Sequence, residues 1–203
     1  MRPIRRNIPG TLWFITSRAF QSRFLLLPRK QANEIIGFYF AQALRLFPSI
    51  RAYCLVSMSN HVHAAIEDGA GQLSRFAEHF FGNVARELNL LRDRRGKLFH
   101  RRFSAEEILD DDALAGRIRY TLLNPTADRL VDEYQDWPGL IAGPLFNTKM
   151  TFRRFNRRAF DLALRSAEPG CEPNRDDFYE TEVLDLSPLP AGLDAHEIEA
   201  DVR

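Results

Sequence analysis

Cysteine is scarce in this chain: Cys54 and Cys171 are the two among 203 residues. Two thiols so far apart build no disulfide framework and offer no zinc-ligand spacing. Cys54 sits in an apolar run and reads as a small core residue, so a reducing, cytoplasmic setting is expected. No apolar run approaches the roughly 20 residues of a membrane-spanning helix. The basic start MRPIRRNIPG is not followed by the apolar stretch and small-residue cleavage site of a secretory signal. No membrane partner is expected. A Walker-type glycine loop is missing as well, which argues against ATP-driven chemistry. No internal repeat is visible.

Charge of either sign is also nearly absent in the sum, which is +1. The sum hides an asymmetry. Residues 1–158 carry 25 Lys+Arg against 15 Asp+Glu, whereas residues 159–203 carry 3 against 12. The larger part is therefore basic, as nucleic-acid binders are. Hydrophobic residues make up 45% of the chain, enough for a real core.

Thr11–Arg18 is rich in aromatic and β-branched residues and reads as a strand. Gln31–Phe47 has the apolar spacing of an amphipathic helix stopped by Pro48. Ile50–Met58 and His61–Glu67 read as two strands, with Ser59-Asn60 bending the chain between them. Gln72–Leu91 carries one helical stripe. Lys97–Phe103 reads as a short strand, and Ala105–Leu123 as a helix ended by Pro125, because the residue before proline avoids helical geometry. Asp136–Gly139 marks a turn. The fold class that follows is α+β: a ferredoxin-like βαββαβ antiparallel sheet with helices on one face, a further helix behind it, and a C-terminal appendage. The division expected is 1–145 for the main domain and 146–203 for a basic-then-acidic accessory segment. Residues 166–177 read as a linker, followed by only a brief strand-like run at Glu182–Leu186.

Chemistry concentrates at a few positions. His61 and His63 are two apart on a strand, so both imidazoles leave the same face and can converge on one metal ion. Taken alone, His-x-His is weak evidence, and a chance pair on a half-exposed strand is the stronger explanation. Glu67 shares their parity but lies too far along an extended strand to join them. Tyr120 and Asn124 are four apart on a helix and share a face. If that face covers the histidines, Asn124 offers a carbonyl oxygen and Tyr120 a phenol; otherwise Tyr120 is a packing aromatic and Asn124 a helix cap. Two basic clusters with interleaved aromatics have the composition of nucleic-acid contacts or of solvated faces. One carries Arg92, Arg94, Arg95, Lys97, Phe99, Arg101 and Arg102; the other carries Arg153, Arg154, Arg157 and Arg158.

Together these stretches resemble a known family. Met58-Ser59-Asn60-His61-Val62-His63, then Gly96-Lys97-Leu98-Phe99 through Arg102-Phe103-Ser104, then Tyr120-Thr121-Leu122-Leu123-Asn124-Pro125 and Asp136-Trp137-Pro138-Gly139 follow in order. Over roughly residues 8–145 they resemble the single-tyrosine HUH transposases, in the REP-associated tyrosine transposase branch. The resemblance implies metal ligation by His61 and His63 with Asn124 as a further ligand, Mg²⁺ or Mn²⁺ as the ion, and Tyr120 as a covalent nucleophile. It implies a single-stranded or hairpin DNA substrate, acting at the nucleoid, and leaves monomer and homodimer both open. The chain departs from the family at Ala127-Asp128-Arg129-Leu130-Val131, where a glycine is usual, and in its low net charge.

Two other classes stand beside this one. A DNA-binding protein derived from such a transposase, catalytically weak, would keep the basic clusters. Another HUH-type nickase, a replication initiator or relaxase, would share the chemistry. A barrel hydrolase using His-x-His needs about 250 residues of repeated βα units, which this chain lacks.

Overall fold

The computed structural model describes residues 8–144, 146–168, 170–195 and 198. The strongly patterned segments become the elements their patterns indicate: β1 (Thr11–Arg18), α1 (Lys30–Leu46), β2 (Ile50–Ser57), β3 (His61–Asp68) and α2 (Leu73–Leu91). β4 (Ser104–Ile108), α3 (Asp111–Ala127) and the two-residue β5 (Ile141–Ala142) complete the central unit. Among the described residues the sheet has the order β4-β1-β3-β2-β5, and every neighbouring pair in it is antiparallel. This is the ferredoxin-like arrangement expected.

The sheet is covered on both sides. Ile15, Leu55, Val62, Ala64 and Ile66 point to one face and share a core with α1 and α2 through Ile36, Phe40, Phe76 and Phe80. Phe14, Cys54, Val56 and Ala65 point to the other, where α3 supplies Leu114, Ile118 and Leu122. A register shift between Ala52 and Cys54 marks a bulge in β2. It brings Tyr53 and Cys54 to the same side. Asp68 ends β3 fully buried and accepts from the backbone N–H groups of Gln72 (2.8 Å) and Leu73 (2.7 Å), so β3 and α2 are joined rigidly.

Two local expectations give way. The stretch 97–103 is not a strand; Phe99 alone makes a bridge, to Ala19. The strand is instead Ser104–Ile108, which the pattern assigned to a helix. Its Glu106 and Glu107 are exposed at the sheet edge, where charge blocks further pairing, and it is held by Leu12–Thr16 of β1. Nor does Pro125 end α3. The helix starts on Asp110, whose side chain caps the N–H of Ala113, and runs through Pro125 to Ala127. A proline two residues from a helix end removes one hydrogen bond, while burial of Leu122, Asn124 and Pro125 holds the last turn in place.

The segment after residue 146 is more ordered than its composition suggests. β6 (Lys149–Phe155) and β7 (Tyr179–Asp185) form an antiparallel ribbon, with α4 (Arg157–Ser166) between them. Phe152, Leu184 and Leu186 enter the α1/α2 core. A Cβ on Gly37 would lie 2.4 Å from the Phe152 ring, so glycine is what lets the ribbon seat on α1. Past β7 the chain crosses over, and Leu189, Leu193 and Ile198 pack on the α3 side.

Candidate active site

Strand parity sends His61 and His63 to the face that α3 covers, while Val62 turns into the α1/α2 core. Both imidazoles are almost fully buried, 5% and 2% exposed, and their ring centroids stand 4.5 Å apart. α3 crosses above them. Tyr120 puts its ring 5.6 Å from His63 and edge-on to Phe14 at 5.9 Å. One turn on, Asn124 is buried in the same place, close enough to His61 to favour its charged form. Tyr120 is 48% exposed, so its phenol opens to solvent beside a dry histidine pair.

Neighbours that the motif does not announce orient the histidines. Asn60 Nδ2 donates to the Ser22 carbonyl (3.3 Å), which turns its Oδ1 toward His61 Nδ1 at 2.6 Å. An amide oxygen only accepts, so Nδ1 carries the proton and Nε2 keeps its lone pair. Thr16, the register partner of His63 on β1, meets His63 Nδ1 at 2.9 Å. Phe14 stacks on the His63 ring at 5.1 Å and 11°, and Arg117 of α3 caps Phe14 from 4.8 Å while paired with Glu106.

These surroundings keep the pair neutral. Burial pushes His63 down to about 3, with His61, Arg18 and Arg117 adding to the effect. Burial and Arg18 push His61 the same way, against smaller opposing effects of Asn124 and Asp128. Neutral imidazole is the metal-binding form.

The donor set fits a divalent ion. Two buried polar atoms here, His63 Nε2 and Asn124 Oδ1, have no hydrogen-bond partner, whereas buried polar atoms are normally paired. With His61 Nε2 they make two imidazole nitrogens and one amide oxygen. Among the described residues there is no cluster of three or more His, Cys, Asp or Glu. Glu67 is engaged elsewhere, by Tyr53 (2.6 Å) and Arg51.

The two basic clusters occupy different places. Arg101 and Arg102 line a cleft with Thr16 and Arg18, at the edge of the histidine face. The remainder of that cluster is partly structural: Arg92 donates to the Leu25 carbonyl, Arg94 bonds Asn89 and the Lys97 carbonyl, and Phe99 packs on Phe81. Arg95 and Lys97 are exposed. Arg153 and Arg154 lie on the ribbon, over the opposite sheet face. Arg154 pairs with Glu87 (3.0 Å) and Glu180 (2.9 Å) and bonds Tyr39. Arg153 lies over Tyr179, and Arg157 and Arg158 open α4, exposed.

Fold and site together define a ferredoxin-like α+β sheet with a buried His-x-His pair under a tyrosine-bearing helix. The same fold is found in a REP-associated tyrosine transposase solved bound to a REP hairpin: 20% identity, 68% of this chain and 81% of that one, TM-score 0.55. A protein of Deinococcus radiodurans R1 provisionally assigned as a transposase aligns over 59% of this chain and 95% of its own, with 12% identity and a TM-score of 0.41. A tRNA(His) guanylyltransferase of Saccharomyces cerevisiae does so over 64% and 65%, with 7% identity and a TM-score of 0.47. The last two share too little of the fold to bear on this chain. No protein-family model and no curated protein sequence matches it.

Proposed function

We propose that this protein is a metal-dependent transposase that cleaves and rejoins single-stranded, hairpin-bearing DNA through a covalent bond to Tyr120. The observation that carries the reading is the convergence of His61, His63, Asn124 and Tyr120 on one sheet face, from two elements remote in sequence. The fold shared with a hairpin-bound tyrosine transposase supports it.

His61, His63 and Asn124 would hold Mg²⁺ or Mn²⁺. Such an ion, when bound, polarises a non-bridging phosphate oxygen and favours the phenolate form of a nearby tyrosine. The chain's own residues do the rest. Asn60 fixes the tautomer of His61, Thr16 anchors His63 Nδ1, and Phe14 fixes the plane of the His63 ring. Tyr120 Oη forms a bond to phosphorus, the bond from phosphorus to the 3′ oxygen breaks, and the phenolic proton passes by way of water to the departing 3′-hydroxyl. The 5′-phosphotyrosine left behind keeps one ester bond for another. A second DNA 3′-hydroxyl can then attack it, releasing Tyr120 and rejoining the strand without a nucleotide cofactor.

The test is cleavage of hairpin oligonucleotides drawn from the DNA flanking the gene. Cleavage with Mn²⁺ or Mg²⁺, abolished by chelator and by His61→Ala, is the expected result. Undiminished cleavage in excess chelator contradicts the metal's role, and failure to cleave any such hairpin contradicts the enzyme reading.

A further inference from the structure

The face that carries the histidines continues past them into a cleft of about 350 Å³. Its floor is the end of β1, where Arg18 stands opposite His61 in the strand register. Its far wall is the loop His100–Arg102, stitched to β1 by the bond from the His100 N–H to the Arg18 carbonyl (2.9 Å) and by the Ala19–Phe99 bridge. Gln21 and Ser22 line its end, both at positive φ (56° and 53°).

Three features give this cleft a ligand class. Among the described residues no carboxylate lines it, while Arg18, Arg101 and Arg102 do. By contrast, Arg117 is neutralised by Glu106 and Arg154 by Glu87 and Glu180. Arg18 and Arg101 have no ion-pair partner among the described residues, and Arg102 bonds the Ser74 hydroxyl (3.3 Å) and lies over the Phe103 ring. Apart from Ala19, the remaining lining is Thr16, Ser22, Ser104, Gln21 and His100, side chains that donate hydrogen bonds to phosphate oxygens.

We propose that this cleft seats the phosphate backbone of the DNA strand immediately next to the bond being cut, with Arg18 and Arg101 each neutralising one phosphate. This rests on the function proposed above and adds to it a path for the strand: along β1, between Arg18 and the His100–Arg102 loop, then onto the histidines beneath Tyr120. Arg18 acts as a positioning residue. It joins the register of the chain to the register of the strand, because the residue that grips the flanking phosphate is the strand partner of a histidine.

The experiment measures binding of a hairpin oligonucleotide with single-stranded flanks over a range of salt, with chelator present and in the Tyr120→Phe background, so that no cutting occurs. Arg18→Gln and Arg101→Gln, both at exposed positions, should each weaken binding about three- to tenfold and lower the salt slope by about one. Lys149→Gln, on the ribbon over the other sheet face, should leave the slope unchanged. In the unmutated arginine background, one neutral methylphosphonate beside the cleavage position should weaken binding; in Arg18→Gln the same replacement should cost nothing further. Wild-type slopes in both arginine variants, equal methylphosphonate losses with and without Arg18, or no measurable binding of the oligonucleotide overturn the proposal. A protein that passes these tests yet never cuts DNA overturns the cleavage reading and leaves the cleft standing.

Discussion

His63 Nδ1 meets Thr16 Oγ1 at 2.9 Å across the β1–β3 pairing, and its Nε2, on the far side of the ring, has no partner. The imidazole is thus anchored by one nitrogen and presents the other. Groups that anchor a ligating histidine typically tune metal affinity by about 10–100-fold. Thr16→Val keeps the shape and β-branching but removes the hydroxyl. It should weaken Mn²⁺ binding, measured by titration calorimetry, by about tenfold, while Thr16→Ser retains most of it. Equal affinities for all three proteins would show that the contact does not orient the ring.

The burial of His63 predicts how stability depends on acidity. The folded imidazole titrates near 3, against about 6.5 in an unfolded chain. Between these values the unfolded chain binds a proton that the native state refuses, so stability is full above about pH 6.5 and is lost as pH falls toward 3. In chelator, the wild type should lose up to about 1.4 kcal/mol per pH unit more than His63→Gln across this window. Parallel urea-denaturation profiles for the two would contradict the neutral, buried state of His63.

The ribbon depends on a missing side chain. Gly37→Ala should push Phe152 out of its seat and destabilise the protein by about 1–3 kcal/mol. Phe152→Ala should cost about 3–5 kcal/mol. Because the two sites share one contact, Gly37→Ala should be much less costly in the Phe152→Ala background. Additive losses in a double-mutant cycle by urea denaturation would mean that the contact is not what limits Gly37.

Local pattern carried the sequence reading where it decides structure. The period of two placed His61 and His63 on one face, and the period of about four placed Tyr120 above Asn124; neither depends on distant residues. β4 is not legible locally, because Ser-Ala-Glu-Glu-Ile becomes a strand only by pairing with β1, and nothing within those five residues records that pairing. The rule that ended a helix at Pro125 was overridden by burial of the turn containing it. Thr16, Phe14 and Arg18 reach the site through strand register, which residue spacing within β1 does not reveal. Asn60 lay within the motif but read as a turn former, though its amide also orients His61. In the acidic segment, the strong charge bias hid Leu184 and Leu186, which join the main core.

The proposed function turns on a covalent bond to Tyr120. Its ring is the one tyrosine ring set against the histidines among the described residues, edge-on to His63, while Tyr39 and Tyr53 are buried and hydrogen-bonded to Glu87 and Glu67. Tyr134 is buried beside Phe146, and Tyr179 packs on the ribbon against Phe155. The most direct measurement is to trap the protein–DNA adduct on a cleavable hairpin oligonucleotide with Mn²⁺, resolve it on a denaturing gel and map the modified peptide by mass spectrometry. A phosphodeoxynucleotide on Tyr120, with no adduct from a folded, DNA-binding Tyr120→Phe protein, is the result this account requires. An adduct formed by Tyr120→Phe, or mapped to any other residue in the wild type, contradicts it.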